Sequence, residues 1–101
     1  MTDIYEVEFR PRAAKAFEKL ASSIQTQLSR KLNERRSHPR VPADRVREMP
    51  DGYRLKLRAA GVRLVYQVHD GRLLILVLSV GSRDGEKAYK DALREYIEVS
   101  Q

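Results

Sequence analysis

The stretch Asp51–Val68, DGYRLKLRAAGVRLVYQV, narrows the possible folds more than any other part of the chain. Tyr53, Leu55 and Leu57 alternate with Arg54, Lys56 and Arg58, the period of a half-buried strand. Val62, Leu64, Tyr66 and Val68 repeat that period against Arg63, Val65 and Gln67, and Gly61 offers the positive φ of a tight return. If the two apolar rows share a face, Arg58–Gly61 is the loop. Leu57 then faces Val62, Leu55 faces Leu64 and Tyr53 faces Tyr66. The other face sets Lys56 directly opposite Arg63. Like charges so placed destabilise a ladder by a few tenths of a kcal/mol to about 1 kcal/mol, so a sheet that accepts them is arranged to hold an anion.

The remaining elements follow from local pattern. Ile4–Phe9 alternates and reads as a strand with one wet face. Pro11 suits the first turn of a helix, which Ala13, Phe17 and Leu20 continue to about Leu20. Ser22 and Ser23 are placed to cap a second helix with the stripe Ile24, Leu28, Leu32, ending before His38-Pro39. Arg40–Asp44 is a loop, Arg45–Met49 a short strand or extended lead-in, and Pro50-Asp51-Gly52 a turn. Asp70-Gly71 predicts a two-residue hairpin turn, which would set Arg63 opposite Leu78 and Val65 opposite Leu76. Leu73–Val80 is apolar without alternation, as in an interior strand covered on both faces. Gly81–Gly85 reads as a flexible loop. A last helix from about Glu86, with Asp84 as its cap, carries Tyr89, Leu93, Tyr96 and Ile97 as its packing stripe. The sum is a single α+β domain over residues 1–101, in the order βααβββα. An antiparallel sheet packs against an N-terminal helical hairpin and a C-terminal helix.

Charge bears on partners. Of the net +6, the span Arg30–Arg63 holds more than its share, with eleven basic residues against four acidic ones. Such a half favours a polyanion, nucleic acid first and an acidic protein second. There is no cysteine and no twenty-residue apolar run, and MTDIYEVEF lacks the form of a secretion signal. The expected setting is therefore the cytoplasm, away from membranes. His38 and His69 stand apart from any second ligand and read as surface histidines. No metal or cofactor is expected, and neither a phosphate-binding glycine loop nor a nucleophile elbow is present.

What remains is a basic constellation of Arg54, Lys56, Arg63 and Arg83, with Tyr89 one turn into the last helix. Arginines cradle a phosphodiester and stabilise the charge that builds as it is attacked. A lysine among like charges is pushed toward its neutral amine, the form that acts as a base. RNA brings its own nucleophile, the 2′-hydroxyl, so a ribonuclease without a metal or a catalytic histidine is chemically sound.

The motifs MPDGYRLKLR (Met49–Arg58), GVRLVYQV (Gly61–Val68) and SVGSR (Ser79–Arg83), in that order with Tyr89 beyond, resemble the RelE family of bacterial toxins, within the RelE/ParE superfamily. The resemblance runs from Tyr5 to about Tyr96. It implies an mRNA interferase that enters the ribosomal A site and cuts the exposed codon by 2′-hydroxyl attack, leaving a 2′,3′-cyclic phosphate and a 5′-hydroxyl. By that resemblance Lys56 is the general base or charge stabiliser, and Arg63 holds the scissile phosphate and its transition state. Arg83 assists the leaving 5′-oxygen, Tyr89 orients or stacks on the substrate, and Arg47, Arg54 and Arg58 bind RNA. Arg54 stands where the best-known members have lysine. Arginine is always charged, so Arg54 binds phosphate without acting as a base. Ser82 stands where the family has a basic residue.

The partners implied are the ribosome, mRNA and a RelB-like antitoxin. An acidic segment of that antitoxin blocks the basic groove or displaces the last helix, and operator DNA is met only through the toxin–antitoxin complex. Two other functions use the same fold. A ParE-like gyrase inhibitor needs no catalytic array, and a basic binding module would act only with its antitoxin and DNA, with steep salt dependence and no product.

Overall fold

A computed structural model describes residues 4–82 and 87–100. Strand β1 (Glu6–Phe9) leads into helices α1 (Pro11–Glu18) and α2 (Ser22–Arg35). The meander β2 (Gly52–Leu57), β3 (Val62–His69) and β4 (Leu74–Ser82) follows, and helix α3 (Lys87–Ser100) closes the order. The sheet order is β1-β4-β3-β2. The meander is antiparallel, but β1 joins β4 in parallel, so the sheet is mixed rather than wholly antiparallel. Two hairpin reversals leave β4 pointing as β2 does, and the helical connection starts β2 in the direction of β1.

The β2–β3 register is the expected one. Leu57 pairs with Val62, Leu55 with Leu64, Tyr53 with Tyr66 and Lys56 with Arg63, and Gly61 sits at φ 65° in the left-handed region. The β3–β4 register differs from expectation. Asp70–Leu73 makes a four-residue connection in which Leu73 takes φ 47°, so His69 pairs with Leu74. A bulge then leaves Leu78 unmatched between the pairs Tyr66–Val77 and Val65–Ser79. Arg63 therefore faces Gly81, not Leu78, and Val65 faces Ser79, not Leu76. β4 begins after Leu73 and runs on through Gly81 and Ser82. The rest of the expected loop, with Arg83 and Asp84, lies outside the described residues.

Each face of the sheet has its own core. On one, Ala13 of α1 with Leu28 and Leu32 of α2 cover Leu55, Leu64, Tyr66 and Val77. Phe9 and Phe17 meet at 5.1 Å there, and Tyr53 stacks on Tyr66 at 5.8 Å. The Tyr66 hydroxyl is buried among partners. It donates to the Pro39 carbonyl at 2.6 Å and accepts from Arg35 at 2.8 Å, and Arg35 also holds Asp44 at 2.8 Å. Burial pushes the Tyr66 pKa up, so it stays a neutral donor. The N-cap of α2 is Ala21, and neither serine caps the helix. Gln25 instead donates to the Leu20 and Glu18 carbonyls at the end of α1.

On the other face lie Val65, Leu76 and Leu78, covered by α3 and by Val46 and Met49. Arg45 makes only an isolated bridge to Tyr53 ahead of the tight turn into β2. In that turn Asp51 has φ 58°, and any side chain at Gly52 would meet the Met49 sulfur at 2.8 Å. The inward residues of α3 are Ala88, Ala92 and Glu95, whereas Leu93 and Ile97 are exposed. Of the expected packing stripe, Tyr89 and Tyr96 pack partly buried against this core, while Leu93 and Ile97 face outward because Ala88 and Ala92 let the helix lie close to the strands. No helix among the described residues is long and apolar enough to cross a membrane.

Candidate active site

Alternation along β2 sends Arg54 and Lys56 to the face under α3, and the β2–β3 register places Arg63 beside them. Among the described residues none of these three cations forms an ion pair. The Nε atoms of Arg54 and Arg63 are buried without a hydrogen-bond partner. A buried donor left unpaired is costly, so the array is held at some expense to the fold.

Helix α3 brings the aromatic. Ser79 Oγ donates to the Ala88 carbonyl at 2.7 Å and fixes the first turn of α3 on β4. Tyr89 then lies over the Arg63 guanidinium, 4.6 Å from carbon to ring centroid, and its hydroxyl accepts from Arg54 at 3.2 Å. Farther along the helix, buried Glu95 meets Arg10 at 3.2 Å, with Glu98 at 3.4 Å from the same guanidinium. Tyr89 thus holds two arginines that form no ion pair among the described residues, while the far end of its helix is pinned by an ion pair.

The structure gathers Arg54, Lys56, Arg63 and Tyr89 as expected. Arg58 shares a recess of about 290 Å³ with Lys56, Val62 and Arg63, and Arg47 lines a cleft with Arg54 and Tyr89. Arg83 lies outside the described residues. The floor differs from the expected one, since Gly81 rather than Leu78 stands opposite Arg63. His38 is exposed, with Ser37 Oγ 3.1 Å from its ring. His69 is not the plain surface histidine its place before a turn suggests, for its Nε2 is buried without a partner. Among the described residues no group of three or more His, Cys, Asp or Glu side chains is placed to hold a metal ion. Arg45, Glu48, Lys90 and Leu93 also line the Arg54–Tyr89 cleft. Nothing in their local sequence marks them, because only the docking of α3 against the turn before β2 brings them together.

A chain with this fold and basic face has relatives. Residues 7–86 match the family described as the ParE toxin of type II toxin–antitoxin system, parDE. Over 93 residues, 92% of this chain and 98% of the relative, the sequence is 42% identical to the mRNA interferase toxin RelE of Escherichia coli strain K12. A double arginine-to-alanine variant of E. coli RelE in the free state superposes with a TM-score of 0.85 at 42% identity, covering 90% of this chain and 96% of that one. The intact E. coli RelBE toxin–antitoxin complex matches with a TM-score of 0.75 at 46% identity, over 77% of this chain and 95% of that one.

Proposed function

The chain belongs to the RelE family of toxins within the RelE/ParE superfamily, and from that premise we propose that it is the toxin of a type II toxin–antitoxin pair, an endoribonuclease that cuts mRNA in the ribosomal A site. The observation that carries this is the array in which Tyr89 holds Arg54 and Arg63 and Lys56 pairs with Arg63, none of the three cations forming an ion pair among the described residues. A phosphodiester supplies the missing negative charge.

In this reading Lys56 acts as the general base and takes the proton of the 2′-hydroxyl. The 2′-oxygen attacks phosphorus, and Arg63 holds the non-bridging oxygens as charge builds on them. The bond to the 5′-oxygen breaks, and Arg83 assists that oxygen as it gains a proton. The products are a 2′,3′-cyclic phosphate and a 5′-hydroxyl. Tyr89 orients the RNA, giving up its contacts with Arg54 and Arg63 to the phosphates. Arg47, Arg54 and Arg58 extend the phosphate track. The antitoxin is RelB-like and covers the basic face with an acidic segment, operator DNA is met only through that complex, and the protein works in the cytoplasm as a single domain.

Primer extension on ribosomes programmed with a short message tests the reading. The wild type yields a cut within the A-site codon and Arg63→Ala does not. Uncut message with the wild type defeats it. The matched family model carries the ParE name, so a gyrase supercoiling assay belongs beside it. Inhibition there without RNA cleavage would install the gyrase reading in its place.

A further inference from the structure

A cleft of about 440 Å³ opens beside the Arg54–Tyr89 contact, between β2, the turn that precedes it and the outer side of α3. Its lining is chemically mixed. Arg45, Arg47, Arg54 and Lys90 bring positive charge. Buried Met49, exposed Leu93 and the Tyr89 ring bring apolar surface. One carboxylate, Glu48, also lines the cleft, and among the described residues it has neither an ion pair nor a hydrogen bond although four cations line the same cleft.

Few ligands need all three features. A phosphate alone has no use for apolar walls, and a carboxylate beside it would repel it. An apolar peptide side chain has no use for four cations. A nucleotide uses all of them: flat contact for the base, cations for its phosphates and an acceptor for an amine on the base edge. The cleft falls within the size range of small-molecule sites.

We infer that this cleft holds the nucleotide next to the scissile phosphate, and that Glu48 selects at that position a base with an exocyclic amine. The inference rests on the ribonuclease reading above. Cytosine against uracil is its sharpest case, because the two share a ring shape. Cytosine presents its N4 amine as a donor to the Glu48 carboxylate. Uracil presents O4, a second acceptor, at the same place. Lys90 and Arg45 hold the phosphates of the bound nucleotide, so Glu48 determines which base is accepted rather than whether RNA binds.

The test compares wild type and Glu48→Ala on ribosomes programmed with messages that carry C or U at each nucleotide flanking the cut. The wild type is expected to cleave C over U at one of these positions by roughly tenfold, the scale of a good base-edge contact, and Glu48→Ala to bring the ratio close to one. A ratio that the substitution does not move, or a wild type indifferent to C and U at both positions, overturns the inference. If the wild type cuts nothing, the ribonuclease reading fails, and binding decides the cleft separately. Uncleavable 2′-O-methyl trinucleotides of C and of U are then titrated into each protein. Tighter binding of C, lost in Glu48→Ala, supports base selection by Glu48. Equal binding of the two by the wild type sinks it.

Discussion

The two faces of the sheet are built from the same strands and settle their polar groups in opposite ways. Under α1 and α2 the buried Tyr66 hydroxyl has both a carbonyl and a guanidinium as partners, and aliphatic and aromatic side chains make up the cluster around it. Under α3 two buried guanidinium nitrogens have no partner, and Lys56 and Arg63 stand side by side with like charge. Large residues fill the first face, and alanines line the helix that covers the second. One face is satisfied and holds the fold together. The other is left unsatisfied, which a protein keeps where a ligand completes it.

Activity and stability should therefore separate by face, most visibly for Arg63. Arg63→Ala should lower mRNA cleavage on ribosomes by 100-fold or more, about 2.7 kcal/mol of transition-state stabilisation. Its urea midpoint should not fall, since the substitution removes an unpartnered buried donor and one member of a like-charged pair. Leu28, fully buried on the other face, should do the reverse. Leu28→Ala should cost about 2–5 kcal/mol in urea unfolding while the protein that remains folded keeps its specific activity. If Arg63→Ala unfolds as easily as Leu28→Ala, the two faces do not divide the work.

The same contrast explains what could be read from sequence. The β2–β3 register was legible because both strands alternate and Gly61 closes the loop, so one pairing alone buries both apolar rows. β4 gives no such guide. Leu74–Val80 is apolar at nearly every position, every register buries something, and the left-handed Leu73 and the bulge at Leu78 leave no local mark. Helix α3 was legible in part. Tyr89 and Tyr96 of its expected stripe pack inward, but close approach to the strands gives the places of Leu93 and Ile97 to Ala88 and Ala92. The cations of the site were legible as a strand face, whereas the seat of Tyr89 on Arg63 depends on how α3 docks, which is a tertiary fact.

The docking of α3 gives the next test. Glu95 is 4% exposed and Arg10 31%. Removing the arginine strands a buried carboxylate, which costs roughly 3–5 kcal/mol where both partners are buried and less here because Arg10 is partly in water. Arg10→Ala should thus destabilise the protein by about 2 kcal/mol, with faster amide exchange concentrated in α3. The exchanged pair Arg10→Glu with Glu95→Arg should recover part of the loss. Uniform acceleration of exchange across the sheet would mean that α3 is not held separately. A smaller effect of opposite sign is expected at Leu73, whose left-handed backbone (φ 47°) strains a branched side chain that is 38% exposed. Leu73→Gly should stabilise by about 0.5–1 kcal/mol in the same assay.

The smallest effect concerns the turn end of the sheet, where one Asp70 oxygen accepts from the Tyr5 hydroxyl at 2.6 Å and from Arg40 at 2.8 Å. The Arg40 hydrogen bond, and then that of Tyr5, hold the Asp70 carboxyl below its ordinary value of 3.8. A carboxylate with a depressed folded pKa contributes fully above its unfolded value and loses that contribution as pH falls through the folded one. Tyr5 is raised above 10.0, chiefly by its hydrogen bond to Asp70, so its share is present below that pH and is lost as pH rises through the raised value. The melting-temperature gap between wild type and Asp70→Asn should therefore be level near neutral pH and close as the solution is taken well below pH 3.8. A gap that stays constant into acid would show that the contact acts by shape alone. A gap as large as that from Leu28→Ala would show that exposed charges at this end hold the fold as firmly as the dry face does.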